Sequence, residues 1–178
     1  MDISTSLVSM NLWHFLLLLS IGIIWMLIAA FKPSEEKLRT MFGMGLFLAI
    51  FDLVFETIGL YLGYWQATNS LFLIGPAVPL EVFAIAICAG AAMNLLFSKF
   101  SWEFSVPAAF LIAAMGTWIE GMLVNTGNLV YLGGWTAFHA FAAYFIVFTF
   151  LQYVNFASFT KSTLKAQRVS SKKAKKRL

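Results

Sequence analysis

The chain has 178 residues, of which 61% are hydrophobic, 17% aromatic and only 11% charged, and its mean hydropathy is +0.84. Soluble domains carry roughly 25% charged residues, so the composition excludes an ordinary soluble fold and leaves an all-α integral membrane protein of a few helices. The net charge of +4 does not argue for nucleic acid as a partner: eight of the twelve basic residues fall in the last eighteen positions, which suits a cytoplasmic tail beside anionic lipid headgroups.

Five transmembrane spans are predicted, at Asn11–Phe31, Met41–Trp65, Phe72–Phe97, Ser105–Val124 and Gly134–Ser158. Each supplies the ~20 apolar residues needed to cross a ~30 Å hydrocarbon core. Residues 1–160 are thus expected to form one helix bundle, with 161–178 as a basic tail. The opening MDISTSLVSMNLWHF has no basic n-region, so the first apolar run is read as a retained span. The segment KPSEEKLRT is expected to be the first loop, and Pro76 and Pro79 to break or kink the top of the third span.

Lys32, Lys37 and Arg39 then lie in the first loop, Lys99 in the third, and the remaining basic residues in the tail. An N-out, C-in orientation puts all of them on the cytoplasmic side. The terminal KKRL fits a dilysine address for the endoplasmic reticulum; without that address, the prokaryotic cell membrane is the expected location. The single cysteine, Cys88, sits in an apolar run and is expected to be a buried thiol.

Leu60–Trp65 reads LYLGYW and Val130–Trp135 reads VYLGGW. Each follows an acidic residue, Glu56 and Glu120, at the end of an outward-going span. The match predicts a duplicated helix pair, although Tyr and Trp also belong at a membrane interface as anchors.

The chemistry is expected to lie in the carboxylates. A carboxylate at bilayer depth costs at least about 2.5 kcal/mol to insert, so such groups have a partner or a task. Asp52 and Glu56 are one helical turn apart, Glu81 enters from the next span, and Glu120 and His139 fall in the same outer layer. Like charges repel strongly in a low-dielectric layer, and every lysine and arginine is placed outside the spans. At least one carboxyl of Asp52, Glu56 and Glu81 is therefore expected to hold a proton at neutral pH.

A protonated acid in an apolar cavity can protonate an alkene, while a neighbouring carboxylate stabilises the cation and later removes a proton. Tyr64, Trp65, Phe83, Trp118, Trp135 and His139 are the candidate substrate-binding residues, and aromatic rings can shield a carbocation. His14 is read as an interfacial residue. No metal or cofactor is expected: the chain has no HExxH, CxxC, GxSxG, phosphate-binding glycine loop or Asp-rich diphosphate motif.

Asp52, Gly59, Gly63-Tyr64-Trp65, Gly75 and Pro79-Leu80-Glu81-Val82-Phe83 together resemble the membrane lycopene cyclase domain. Glu120-Gly-Met-Leu-Val-Asn-Thr-Gly127 followed by Gly133-Gly-Trp135 is similar to a pattern of membrane carotenoid hydratases, and fungal membrane terpene cyclases are a looser match. The resemblance covers roughly residues 50–135. It departs at Val82, where the family has a second glutamate, and in having five spans where relatives have more.

The resemblance implies cofactor-independent cyclisation or hydration of an isoprenoid polyene. Glu81 or Glu56 would be the proton donor, with Asp52 and Glu120 as base or cation stabilisers. Two other readings stay open. One is a non-catalytic accessory subunit in a homo- or hetero-oligomeric membrane complex; the other is a membrane protein that binds a sterol or carotenoid without acting on it.

Overall fold

The computed structural model describes residues 12–68, 70, 73–74, 78–97 and 102–155. The basic tail with its KKRL end, Lys99 and Pro76 lie outside the described residues. Among the described residues, five helices are long and apolar enough to cross a membrane: α1 (Leu12–Phe31), α2 (Glu35–Tyr61), α3 (Leu80–Phe97), α4 (Trp102–Asn125) and α5 (Ala137–Asn155). Four short strands join them at one end: β1 (Trp65–Ala67), β2 (Leu73–Ile74), β3 (Val78–Pro79) and β4 (Leu129–Tyr131).

Local chemistry moves several of the expected boundaries. α2 begins at Glu35 and not near Met41, because Ser34 caps it: its Oγ accepts from the Lys37 backbone N–H at 3.3 Å, and Glu35 and Glu36 fill the first turn. Lys37 and Arg39, expected in a loop, are therefore helical. α2 then stops at Tyr61, four residues early, where Gly63 adopts φ 69 and closes a Schellman motif. Its bonds are Tyr64 N–H to the Gly59 carbonyl at 2.9 Å and Gly63 N–H to the Leu60 carbonyl at 3.1 Å. The third helix starts at Leu80 and not at Phe72, since Pro79 closes a β2–β3 hairpin directly ahead of it. α5 begins at Ala137, three residues later than expected.

α2 and α3 cross with their backbones in contact. A Cβ on Gly45 would stand 2.5 Å from the Ile87 carbonyl oxygen, and one on Gly90 would stand 2.8 Å from that of Met44. Glycine at both positions is what permits this approach. Leu48 and Ala49 of α2, Ala86 and Met93 of α3, Ala109 of α4, and Phe148 and Leu151 of α5 fill the resulting core. Large apolar side chains such as Trp25, Phe104, Leu111 and Ile146 face outward. α1 is tied on by polar contacts. The Trp13 indole N–H donates to the Thr68 and Asn128 carbonyls at 3.0 and 3.2 Å, and the buried Cys88 thiol donates to the Ser20 carbonyl at 3.3 Å.

The chain contains an internal two-fold, in a register the sequence match did not show. α4 ends in the same Schellman geometry as α2: Gly127 at φ 72, Asn128 N–H to the Leu123 carbonyl at 2.8 Å, and Gly127 N–H to the Val124 carbonyl at 3.1 Å. Strands β1 and β4 then pair antiparallel, Trp65 with Tyr131, Gln66 with Val130 and Ala67 with Leu129. Thr68 N–H to Asn128 O and Leu132 N–H to Tyr64 O complete the ladder symmetrically, at 2.9 and 2.7 Å. Every one of these relations swaps residue i with residue i+64 about the Gln66–Val130 pair. The expected repeat aligned Gly63 with Gly133; the backbone aligns Gly63 with Gly127.

Candidate functional site

The 64-residue relation makes Glu56 of α2 and Glu120 of α4 equivalent, each five residues before its helix ends. The two helices run toward the same ladder, so this equivalence brings both carboxylates to one depth beneath it. One turn below Glu56 sits Asp52. The equivalent position on α4 is Gly116, and the Tyr144 ring of α5 occupies the space this glycine leaves, 3.3 Å from where a Cβ would be. The duplicated frame therefore carries an asymmetric site: two carboxylates on α2, one on α4, and a phenol where a fourth carboxylate would stand.

Asp52, Glu56 and Glu120 are half-buried. The charge of Glu120 acts on both Asp52 and Glu56, and that of Asp52 acts on Glu56, so the three form one electrostatic group. Glu56 Oε2 accepts the Trp65 indole N–H at 2.6 Å. That bond depends on Gly59, because a Cβ there would lie 2.0 Å from the Trp65 ring carbons. Glycine one turn after Glu56 is the seat on which the indole folds back over the helix end.

The Tyr131 and Tyr144 phenols flank Glu120. The Tyr131 hydroxyl is buried and stands beside Glu120 without completing a hydrogen bond to it. Burial and the neighbouring Glu120 carboxylate both push the Tyr131 phenol above its ordinary range.

Over this group stands an aromatic box. Trp65 and Trp135 meet edge to face with centroids 4.7 Å apart. Phe55 stacks on Trp65 at 5.5 Å, and Tyr64 stacks on Trp135 at 5.4 Å. The two tryptophans at which the sequence repeat ends are in contact, although they are not equivalent under the two-fold.

The other expected site residues fall elsewhere. Glu81 is the second residue of α3, not nine residues into a span, and it is 1% exposed. Its Oε2 accepts the Ser70 hydroxyl at 2.8 Å, and its Oε1 lies 3.7 Å from His14 Nε2. The partners shown for Glu81 are thus residues of α1 and the β1–β2 connection. His14, read from the sequence as interfacial, is the acid's neighbour; no local pattern links residues 14 and 81, so the pair emerges only from helix packing.

Trp118 is 68% exposed and sits two residues, about 200° of helix rotation, from Glu120, so it faces away from the group. Phe83 is partly buried and packs against the core cluster of Leu48, Ala49, Ala86, Met93, Ala109, Phe148 and Leu151. His139 is exposed in the first turn of α5, stacked on Trp135 at 5.4 Å with its Nδ1 2.8 Å from the Thr136 hydroxyl, and so forms the rim of the box. Tyr144 was missed as a site residue.

Among the described residues, no group of three His, Cys, Asp or Glu side chains is arranged to hold a metal ion. Chemically, the group offers proton donors and acceptors beside an aromatic wall. No family model, curated protein or solved structure matches this chain.

Proposed function

We propose that the chain is a membrane-embedded enzyme, oriented N-out and C-in, that performs cofactor-independent acid–base chemistry on an isoprenoid double bond, as its resemblance to membrane lycopene cyclases suggests. The observation that carries this reading is the convergence of Asp52, Glu56 and Glu120 from two helices onto one electrostatic group beneath a box of aromatic rings. Three carboxylates this close share protons more readily than they share charge. One of them, in its acid form, adds a proton to an alkene and leaves a carbocation at the more substituted carbon.

Attack by a neighbouring double bond closes a ring, and a carboxylate then removes a proton from the adjacent carbon. The proton count is restored, and the net reaction is isomerisation. Capture of the cation by water, followed by loss of one proton, gives hydration instead. The Phe55, Tyr64, Trp65 and Trp135 rings present π faces that stabilise the cation. In this scheme Glu56, oriented by the Trp65 indole, is the donor, and Asp52 and Glu120 serve as base and cation stabilisers. Glu81, beside His14 and Ser70, takes no step in this scheme.

The test is turnover of lycopene by the purified protein in detergent micelles without added cofactor. The expected product is either an isomer of unchanged mass or a product one water heavier, and Glu56→Gln and Glu120→Gln should each lower the rate by about 10²–10⁴-fold. Wild-type rates in both variants would refute the assignment.

A further inference from the structure

Buried polar atoms in folded proteins have partners, and each exception calls for an explanation. Two exceptions flank one ring. Trp135 Nε1 and the Tyr131 hydroxyl are both buried and unpartnered. Tyr131 stands directly opposite Trp65 in the β1–β4 ladder, so their side chains project from the same face. Trp135 meets Trp65 edge to face. The Trp65 indole itself is satisfied, because Glu56 accepts its N–H at 2.6 Å. The same box therefore contains one indole committed to a catalytic carboxylate, one indole whose N–H has no acceptor, and a phenol that stands beside Glu120 without full hydrogen-bond geometry.

Neither orphan is an accident of a loose surface. Gly133 and Gly134 take φ 55 and φ 81 to turn the chain between Tyr131 and Trp135. A Cβ on Gly133 would strike the Gly63 carbonyl oxygen at 2.7 Å. The Trp135 backbone N–H is bonded to the Leu132 carbonyl at 2.9 Å, and the ring is clamped between Tyr64 and His139. The segment that carries both donors is held rigidly over the carboxylates by the ladder.

We infer that Trp135 and Tyr131 form a subsite for an oxygen atom of the ligand, so that the site takes an oxygenated isoprenoid, an alcohol, ether or carbonyl, in preference to a pure hydrocarbon. The inference rests on the isoprenoid reading above and names the polar end of its substrate class. The oxygen accepts from Trp135 Nε1–H and Tyr131 O–H beside Trp65, and the apolar chain continues along Phe55 and Tyr64. An indole N–H only donates, so the ligand atom opposite it must be an acceptor. A phenol accepts that requirement equally well by donating.

Binding without turnover tests this. The probes are tritiated geranylgeraniol and the hydrocarbon of the same skeleton lacking the hydroxyl, measured by equilibrium dialysis against the full chain in nanodiscs. The wild type should bind the alcohol about tenfold more tightly than the hydrocarbon, the size expected of one or two net hydrogen bonds. Trp135→Phe and Tyr131→Phe keep a ring and remove the donor. Each should cut the preference to about threefold or less, and an unchanged melting temperature in detergent reports an intact fold.

Equal wild-type affinities for the two probes, or a preference that survives in the double variant, would overturn the oxygen subsite and leave the isoprenoid reading standing. Failure of both probes to bind the wild type would remove both readings.

Discussion

The two ends of the bundle treat their polar side chains in opposite ways. At the end away from the ladder, Lys37 Nζ donates to the Asn94 carbonyl at 2.8 Å and to its Oδ1 at 3.0 Å. Asn94 Nδ2 donates to Asn155 Oδ1 at 2.7 Å, Asn155 Nδ2 reaches Gln152 Oε1 at 3.5 Å, and Gln152 Nε2 donates to the Phe97 carbonyl at 2.9 Å. This chain of amides stitches α2, α3 and α5 together, and each member gives and receives. At the ladder end, Asp52 accepts no hydrogen bond from the described residues, while Trp135 Nε1 and the Tyr131 hydroxyl have no partner. A satisfied network fixes structure, whereas unspent donors and acceptors are held in readiness for a ligand or a proton. An amide network thus marks one end, and unpartnered donors beside the carboxylates mark the other, where the proposed chemistry would lie.

That contrast is open to attack at several points. The largest effect is expected from Glu56→Gln or Glu120→Gln, with turnover down by about 10²–10⁴-fold and the melting temperature in detergent little changed. A large loss of thermal stability in either variant would make the ladder end a fastening too.

Gly59→Ala comes next. The new methyl must displace the Trp65 indole from its seat and so release Glu56, which should destabilise the fold by about 3 kcal/mol and lower turnover along with it. Scanning fluorimetry and the lycopene assay together would show whether the two losses travel as a pair.

Asn94→Ala is the mirror experiment. It cuts the side-chain link from Lys37 to Asn155, although the backbone carbonyl of residue 94 still accepts from Lys37, and a loss of about 2 kcal/mol in stability is expected with turnover per folded molecule retained. If that variant is as inactive as Glu56→Gln, the division of labour between the ends is wrong. The smallest effect should come from Glu35→Gln, which removes the 2.6 Å Glu35–Arg39 pair; both side chains are about four-fifths exposed, and no change in melting temperature is expected.

Composition and helical length alone determined that this chain makes five apolar helices, because ~20 apolar residues are needed to cross a bilayer and little else uses such runs. The acids Asp52, Glu56 and Glu120 were also legible, since an ionisable group within an apolar run stands out against its neighbours. Where the helices stop was less legible. Ser34, Gly63 and Pro79 act through caps, a left-handed turn and a missing N–H, and these single-residue effects override the hydropathy that set the expected ends of α2 and α3.

Only the tertiary structure decided which acids belong together. Glu81 was grouped with Asp52, Glu56 and Glu120 from its depth on the next span; packing sets it beside His14, 67 positions away, and a two-fold about Gln66–Val130 relates Glu120 to Glu56. The repeat was visible as LYLGYW and VYLGGW but in the wrong register, since residue identity follows the interface aromatics and backbone equivalence follows the αL glycines. Proximity across a bundle is set by how helices pack against one another, and one-dimensional spacing carries that information only within a helix.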